Sequence, residues 1–453
     1  MSLASAPARP SAHVFQRATA AAMPMAVGGD GIFILTADGR RVLDASSGAA
    51  VSCLGHSDKT VVNAIKAQLD ELPFAHTGFF TSEPAEVLAS MLVERAPEGI
   101  AKVYFVSGGS EAAEAAIKLA RQYHLERGEP KRYRVIARRQ SYHGNTLGAL
   151  AAGGNEWRRA PYSPLLTDAM SHIAPCHHYR WAEPGESLED YGQRVANELE
   201  TEILRLGAET VSAFMAEPVV GGTMGAVPAA PGYLARIREI CDKYGVLLIL
   251  DEVMCGMGRT GYLFACDEDG VSPDILLIAK GLGAGYQPIG ALLTTDAVHD
   301  AIAGGSGFFQ HGHTYMGHPA ACAGSIAVLT AMEERSLLAN VSARGDQLQE
   351  RLCARFGNHP NVGDVRGRGL FVGVELVADR ATKVPLPPEA KTHAHIKREA
   401  FARDLMTYPM GGTIDGKSGD HILLAPPFIV TEDDVDTIVD RLGEAVEAVI
   451  GTA

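Results

Sequence analysis

The sequence has neither an excess of basic residues nor a long apolar run. It contains 40 Lys and Arg against 54 Asp and Glu among 453 residues, a formal net charge of −14. Nucleic-acid-binding proteins generally carry a basic patch, so this balance argues against that class of partner. No uninterrupted apolar stretch reaches the roughly 20 residues that a membrane-spanning helix needs. We therefore expect neither a nucleic acid nor a membrane as a partner.

Cysteine is scarce and is not arranged for disulfides or metal binding. The seven cysteines are odd in number, scattered along the chain and include no C-x-x-C pair. Residues 1–10 also lack the apolar segment of a secretory signal. Cys176, His177 and His178 are adjacent, so their side chains diverge too much to share one tetrahedral ion. These absences predict a cytoplasmic protein with reduced thiols and no bound metal.

The glycine fingerprint of dinucleotide-binding enzymes is also missing. No G-x-G-x-x-G segment follows an early strand, and Gly281, Gly283 and Gly285 follow a lysine without opening a clear helix. This absence argues against a nicotinamide-dependent dehydrogenase. Hydrophobic residues make up 46% and charged residues 21% of the chain, as in an ordinary globular protein. A chain of 453 residues is too long for one small core and is expected to form two or three lobes.

Strand-like and helix-like segments alternate through the middle of the chain. Short apolar runs rich in β-branched residues predict strands, and apolar residues at helical spacing separate them. Such alternation is typical of an α/β protein with a mainly parallel sheet, right-handed crossovers and flanking helices. The predicted strands are 103–106, 134–137, 211–216, 246–250, 274–278 and 289–294.

The pattern changes near residue 335, where a second lobe is expected. A helix over 337–356, an antiparallel pair within 362–377 and a last helix over 433–450 indicate an α+β arrangement. Near the start, the turn 37–40 between two apolar strands predicts a hairpin, which we expect to join that lobe. The expected division is a segment 1–58 that joins the small domain, a large domain 59–334 and a small domain 335–453.

Two of the buried strands end on charged residues. The run 246–250 leads into Asp251, and the run 274–278 leads to Lys280. Ligands bind at the carboxyl ends of parallel strands, so both side chains are expected at the same edge of the sheet. An Asp beside a pyridinium nitrogen and a Lys that forms a Schiff base are the minimum for pyridoxal phosphate. The alternative is a structural ion pair, but buried pairs rarely stabilise a fold, which favours function.

Three other segments at predicted strand ends carry candidate site residues. Gly109 and Ser110 open a helix after a strand, where backbone N–H groups can hold an anion, although a plain tight turn has the same pattern. Tyr142 could stack on a planar ring or cap the sheet, and His143 beside it could be structural. Glu217 ends a buried strand and needs a partner, unless it is a surface residue before proline.

These motifs together resemble one enzyme family. The segment 251–261 and the segment 273–282 around Lys280 resemble the signature of class III aminotransferases, which have the pyridoxal-phosphate fold type I. The family has a large domain with a mainly parallel sheet and a smaller α+β domain built from both termini. The resemblance covers nearly the whole chain, in the same order and at similar spacing, through 54–56, 107–112, 142–144, 217–218, 313–319 and 366–370.

The resemblance implies a role for each matching residue. Lys280 is implied as the lysine that binds the cofactor and moves the substrate proton, Asp251 as the partner of the ring nitrogen, and Glu217 as a catalytic residue near the ring on the substrate side. Thr314 is implied to reach the phosphate from the other subunit of a homodimer. The other implied cofactor-binding residues are Gly109, Ser110, Tyr142, His143 and Val253, with Val253 on the ring face opposite Tyr142.

The resemblance also suggests the substrates. Many class III members transfer an amino group from an ω-amino acid or amine to an oxo acid, and they often carry a C-terminal arginine that pairs with a substrate carboxylate. The segment 405–416, where we would expect it, contains no arginine, which favours pyruvate over 2-oxoglutarate as acceptor. Leu54, Phe79 and Phe80 are candidate apolar walls of the substrate pocket, with simple core packing as the alternative.

Two other functions use parts of the same pattern. A decarboxylase, racemase or aminomutase of this fold could employ Lys280 and Asp251 in the same positions. A non-catalytic binding protein on this scaffold would lack one of these two residues, and both are present. A transaminase acting by a ping-pong mechanism on small-molecule donor and acceptor is therefore the main hypothesis.

Overall fold

A computed structural model of the protein describes residues 13–19 and 22–452. The predicted absence of a secretory signal concerns residues 1–10, which lie outside the described residues. The first strands are β1 (Ala26–Asp30), β2 (Phe33–Thr36) and β3 (Arg41–Asp44). β2 pairs with β3 in an antiparallel arrangement, which confirms the predicted hairpin. β1 pairs with the other edge of β2.

A seven-stranded sheet forms the centre of the large domain. The next strands in the chain are β4 (Ile100–Val106), β5 (Arg134–Arg138), β6 (Met170–Ile173), β7 (Val211–Ala216), β8 (Val219–Val220), β9 (Val227–Pro228), β10 (Leu247–Asp251), β11 (Ile275–Ile278) and β12 (Gly290–Thr295). The sheet order is β4-β12-β11-β10-β7-β5-β6, and β8 and β9 form a separate pair. Only β12 runs antiparallel to its neighbours, so the mainly parallel sheet is confirmed.

The central strands are buried on both faces because helices cover the sheet on each side. All residues of β7, β10 and β11 are buried. Along β10, Leu248 and Leu250 belong to one hydrophobic core, while Leu247 and Ile249 belong to another on the opposite face. This alternation follows from the two-residue period of a strand. Burial on both faces explains why these strands are continuous apolar runs in the sequence.

Eleven helices precede the C-terminal lobe within the described residues. They are α1 (Ser47–Ala50), α2 (Lys59–Glu71), α3 (Glu83–Val93), α4 (Gly109–Glu126), α5 (Leu147–Ala152), α6 (Glu156–Arg159), α7 (His178–Trp181), α8 (Leu188–Leu206), α9 (Tyr233–Tyr244), α10 (Asp296–Gly304) and α11 (Pro319–Glu334). α4 packs its alanine-rich face on one side of the sheet, and α8 and α9 pack on the other. No helix in the described part of the chain is long and apolar enough to cross a membrane.

The C-terminal lobe is built on a second sheet. Its elements are α12 (Leu337–Phe356), β13 (Val362–Arg368), β14 (Phe371–Leu376), α13 (Thr392–Ala402), β15 (Leu405–Met406), β16 (Tyr408–Gly411), β17 (Asp420–Leu424) and α14 (Glu432–Ile450). β13, β14, β17 and β16 form an antiparallel sheet. α14 begins with a capping box in which Thr431 and Asp434 satisfy each other's backbone N–H groups.

The N-terminal hairpin contacts the C-terminal lobe through β-sheet pairing. β15 runs parallel to β3, with Leu405 opposite Leu43 and Met406 opposite Asp44. The same hydrophobic core also takes Val61 from α2 and Val328 from α11, which the sequence assigned to the large domain. The exact division at residues 58 and 334 therefore stays a prediction.

Sequence periodicity missed several elements. β6 reads Met-Ser-His-Ile and lies at the edge of the large sheet, so it lacks the apolar run that marked the central strands. β16 and β17 were also missed, although all residues of β17 are buried. Short strands in an antiparallel sheet carry a weak pattern, because their register is decided by pairing with distant segments.

Candidate active site

A cavity of about 490 Å³ opens at the carboxyl ends of β7, β10 and β11. Glu217 follows the end of β7, Asp251 ends β10, and Lys280 follows β11 after one residue. Neighbouring parallel strands bring their carboxyl ends to one edge, which is why residues far apart in the chain meet here. Eight of the predicted site residues line this cavity: Gly109, Ser110, Tyr142, His143, Glu217, Asp251, Val253 and Lys280.

Asp251 is buried and is held in place by two hydrogen bonds. Its Oδ2 lies 2.8 Å from Nδ1 of His143, and its Oδ1 accepts a hydrogen bond from the backbone N–H of Val253. Burial alone lowers the pKa of His143, but the hydrogen bond with Asp251 and the nearby charge of Glu217 outweigh burial and raise that pKa overall. His143 therefore keeps a hydrogen on the nitrogen that faces Asp251, which orients the carboxylate.

Lys280 occupies a backbone conformation that is unusual for a lysine. Its φ is +44°, in the left-handed region that costs a residue other than glycine on the order of 1 kcal/mol. Burial lowers the pKa of its amine to about 8, against the opposing charge of Asp251. The unprotonated, nucleophilic form of this amine is therefore far more populated near neutral pH than that of an ordinary lysine.

The lowered pKa of Lys280 makes a direct prediction. In protein freed of cofactor, the rate at which a small amine-reactive acylating reagent modifies Lys280 is expected to rise with pH around a midpoint near 8. The reason is that only the unprotonated amine reacts. Lys243 is the internal control, since its hydrogen bond to Glu200 raises its pKa above the ordinary value. Peptide mass spectrometry after timed labelling measures both. Equal midpoints for the two lysines would contradict the prediction.

Glu217 is buried beside an arginine that the sequence did not single out. Arg138 ends β5, and its Nη2 lies 3.7 Å from Oε2 of Glu217 and also donates to the Glu217 backbone carbonyl. Oε1 of Glu217 accepts a hydrogen bond from the backbone N–H of Tyr142. Burial raises the pKa of Glu217 against the opposing charges of His143 and Arg138. The carboxyl group thus ties β5, β7 and the Tyr142 segment together at the cavity floor.

The first turn of α4 forms another wall of the cavity. Ser107, Gly108, Gly109 and Ser110 line it, and the first N–H groups of a helix have no partner within the helix. The Ser110 hydroxyl donates to Oδ1 of Asn145 and accepts from the Asn145 backbone N–H. A helix start with glycines and a fixed hydroxyl is suited to a phosphate group.

Gly109 is tightly packed, which predicts the effect of adding one methyl group. A Cβ at Gly109 would lie 2.7 Å from Cγ1 of Val253, so Gly109→Ala must displace a side chain that lines the cavity. We expect cofactor affinity to fall on the order of 10-fold, measured by titration of absorbance at the cofactor band. Gly304→Ala is the control, because a Cβ there meets no described atom within 4 Å. Equal affinity in the two variants would show that Gly109 does not shape the site.

Four predicted site residues do not line this cavity. Thr314 is exposed in the segment between α10 and α11. Leu54 is buried in the core of the C-terminal lobe. Phe79 and Phe80 are 82% and 67% exposed, and Phe80 lines a separate cavity of about 230 Å³. The roles suggested for these four residues stay predictions.

Several cavity residues were not identified from the sequence. Gly221 and Gly222 follow β8, Met254 follows Val253, and Gln287 lies before β12. Val51 reaches the cavity from the N-terminal segment. Of these, only Met254 carried a signal, since it lies in the motif that begins at Asp251. The others reach the cavity through tertiary contacts.

The cavity residues fit pyridoxal 5′-phosphate. The α4 start suits the phosphate, buried Asp251 suits a protonated ring nitrogen, and the Lys280 amine suits the aldehyde. Two buried polar atoms of the lining, Nε2 of His143 and Oε2 of Glu217, have no hydrogen-bond partner in the described structure. A polar ligand in the cavity explains such atoms.

The chain is similar to known proteins over nearly its whole length. It matches the family described as aminotransferase class-III over residues 15–446. An uncharacterized aminotransferase of Schizosaccharomyces pombe is 44% identical over 94% of this chain and 93% of that protein.

Solved structures agree with this assignment. A thermostable (S)-enantioselective omega-transaminase from Thermomicrobium roseum has a TM-score of 0.90 and 34% identity, covering 97% of this chain and 96% of that one. The omega-transaminase from Pseudomonas jessenii in complex with PMP has a TM-score of 0.89 and 34% identity, covering 94% and 93%. This protein belongs to the class III aminotransferases, a family of fold type I enzymes that use pyridoxal 5′-phosphate.

Proposed function

We propose that this protein transfers an amino group from an ω-amino acid or amine to an oxo acid, with pyruvate as the acceptor, by a ping-pong mechanism. The observation that carries the proposal is the meeting of Lys280, Asp251 and Glu217 with the start of α4 around one cavity. The similarity of this chain to solved structures of omega-transaminases supports an ω-amino acid or amine as the donor. The seven free cysteines support a cytoplasmic location.

Pyridoxal phosphate, when bound, supplies an aldehyde carbon that holds the substrate nitrogen and a protonated ring that withdraws electrons from it. Gly109 and Ser110 would hold the phosphate at the α4 start. Tyr142 and Val253 would contact the ring on opposite faces. These residues would fix the position of the cofactor. The reaction also needs a base that moves the substrate proton and a charged partner for the ring nitrogen.

Lys280 is the proposed base. Once the substrate nitrogen had replaced it on the cofactor, the Lys280 amine would be free, and its Nζ would accept the proton from the substrate carbon that bears the nitrogen and later donate it again. A pKa of about 8 suits this task, because the amine can both accept and release a proton near neutral pH. Lys280, in its left-handed backbone conformation, lies one residue beyond the end of β11, at the sheet edge where the cavity opens.

Asp251 is the proposed charge partner of the ring nitrogen, and His143 is its positioning residue. The buried carboxylate favours a protonated nitrogen beside it, because opposite charges attract strongly in a low-dielectric site. Glu217, anchored by Arg138 and by the Tyr142 backbone, would sit on the substrate side of the ring. Its pKa is raised chiefly by burial, so it carries a neutral carboxyl group more readily than a surface glutamate.

A half-reaction tests this function. Enzyme loaded with cofactor and given an amine donor without any oxo acid should release one equivalent of carbonyl product per site and then stop, and pyruvate should restart it. A decarboxylase would release carbon dioxide, while a racemase or aminomutase would continue without an acceptor. A donor panel run against pyruvate and 2-oxoglutarate tests the acceptor, and a strong preference for 2-oxoglutarate would contradict the pyruvate assignment.

We also propose a homodimer in which Thr314 reaches the phosphate of the neighbouring chain. Thr314 is exposed and does not line the cavity of its own chain. Exposed aromatic side chains lie close to Thr314: Phe308 and Tyr315 in the same segment, Phe74 against the Tyr315 ring, and Phe80 in a cavity that Met316 also lines. Exposed apolar surface of this kind marks a protein interface.

Mixed dimers test the contribution of Thr314 across the interface. Lys280→Ala and Thr314→Ala chains, refolded or co-expressed together, would form a dimer with one doubly altered site and one intact site. At limiting cofactor, this mixture should recover activity that neither homodimer has. If Thr314 served its own chain, the mixture would contain no intact site and would gain nothing. Light scattering reports whether a dimer forms at all.

A further inference from the structure

A second cavity adjoins the active site. It measures about 640 Å³, and Tyr142 and Gly144 line both cavities. Arg158 and Arg17 are the charged residues among its described lining, and no acidic residue is among them. The remaining surface is largely aromatic and apolar, with Trp157 as its largest side chain. We call this space the outer cavity.

Arg158 has no anionic partner in the described structure. Its guanidinium carbon lies 4.6 Å from the ring centre of Tyr142 and 5.5 Å from that of Trp157. Nε of Arg158 is buried and has no hydrogen-bond partner in the part of the chain that the structure describes. A guanidinium carries five N–H donors in a planar fork that matches a carboxylate. An arginine that stacks on aromatic rings and has no anionic partner in the described structure is therefore well placed to bind an anion.

The turn that carries Arg158 is held firmly. Oδ1 of Asn155 accepts the backbone N–H of Arg158, and the Asn155 amide donates to Gln140. Gln140 in turn donates to the backbone carbonyls of Gly412 and Thr413 in the C-terminal lobe. These hydrogen bonds, most of them buried, fix the start of α6 against both lobes, which reduces the entropy that binding would otherwise cost.

The positive charge of Arg158 affects the pKa of Lys280. After burial, which is the largest cause, the positive charge of Arg158 also acts to lower the pKa of Lys280. The C-terminal segment 405–416 has no arginine of its own. It nevertheless packs against the turn that carries Arg158, because a Cβ on Gly416 would lie 2.8 Å from the backbone nitrogen of Trp157. Arg158 thus places a cation beside the active site, where the segment 405–416 supplies none.

We propose that Arg158 binds the remote carboxylate of the amino donor, an ω-amino acid whose apolar chain runs from Lys280 past Tyr142 into the outer cavity. This assignment rests on the proposed function and names its donor class. The aromatic and apolar lining packs against the methylene chain, while the unpaired guanidinium takes the carboxylate. A donor without a terminal anion would leave Arg158 unpaired.

Donor kinetics with matched substrates test the proposal. In wild-type holoenzyme with pyruvate, 6-aminohexanoate should have a much lower KM than hexylamine, which has the same chain length without the carboxylate. Arg158→Met should raise KM for 6-aminohexanoate on the order of 10- to 100-fold, because it removes a charge-assisted pair. The same variant should leave KM for hexylamine within about twofold, and Arg158→Lys should restore part of the preference.

The control is Arg134→Met. Arg134 also stacks on a tyrosine, Tyr133, with 5.1 Å from its guanidinium carbon to the ring centre, but it does not line the outer cavity. It should leave both donors unchanged. An equal effect of Arg158→Met on both donors would indicate a structural role and overturn the proposal, as would no effect on either.

A binding measurement tests Arg158 even if no ω-amine is a donor. The chain has two tryptophans, so Trp181→Phe leaves Trp157 as the only indole reporter. Hexanoate should change its fluorescence saturably in the Trp181→Phe holoenzyme, and at least about 10 times more weakly once Arg158→Met is added. Identical titrations would overturn the assignment of Arg158. Failure of every amine donor, with the hexanoate difference retained, would overturn only the proposed donor class.

Discussion

Replacing Lys280 with alanine is expected to abolish transamination, with a loss of at least about 10⁴-fold in kcat. The variant loses both the amine that binds the cofactor aldehyde and the base that moves the substrate proton, and proton transfer alone accounts for about 10²- to 10⁴-fold. Lys280 is the lysine that lines the cavity, and burial has already lowered its pKa to about 8. The visible absorbance of the bound imine should disappear with it.

Steady-state rates, an absorbance scan and borohydride labelling measure this outcome. Borohydride should fix the cofactor to Lys280 in the wild-type chain, and peptide mass spectrometry should find no such adduct in Lys280→Ala. Lys243→Ala is the control, because that lysine pairs with Glu200 on the surface and should retain full activity. Normal turnover in purified Lys280→Ala would show that the proposed base is wrong.

Asp251→Asn is expected to lower kcat by about 10²- to 10⁴-fold while the cofactor stays bound. Asparagine keeps the shape of the side chain but removes the charge that favours a protonated ring nitrogen, so the electron-withdrawing power of the ring falls. The hydrogen bond from His143 to Asp251 can be retained by the asparagine oxygen. The expected signature is therefore a loss in kcat with nearly normal cofactor binding.

Asp274→Asn provides a matched control on the neighbouring strand. Asp274 precedes β11 and pairs with Arg238 and with the backbone N–H of Leu248, at the sheet edge opposite to the cavity. Its loss should lower thermal stability and leave kcat within a fewfold of wild type. Near wild-type kcat in Asp251→Asn, with cofactor bound, would refute the charge-partner role.

The local sequence pattern was sufficient to identify Asp251 and Lys280 as neighbours. Each closes a short apolar run, and parallel strands present their carboxyl ends at a common edge. The same reasoning applied to Glu217 and to the α4 start, since all of these residues are defined by their position at the end of one strand. The structure places them around one cavity. Their individual roles await the experiments above.

Contacts between distant segments could not be read in this way. Asp251 and His143 are separated by 108 positions, and Arg138 ends β5 whereas Glu217 follows β7. Leu54 shows the same limit of sequence reasoning, because an apolar residue is equally typical of a pocket wall and of a packed core. In this chain it lies in the core of the C-terminal lobe. Side-chain partners are set by packing, which the periodicity of one segment does not contain.

The sequence by itself determined the α/β alternation, the family and the two charged residues at the strand ends, because these depend on hydrophobic periodicity and on short ordered motifs. The tertiary structure alone decided that His143 orients Asp251, that Arg138 accompanies Glu217 and that Arg158 stacks on Tyr142 without an anionic partner among the described residues. The physical reason is that hydrogen bonds and ion pairs form over a few ångströms in space, between groups whose separation along the chain carries no signal.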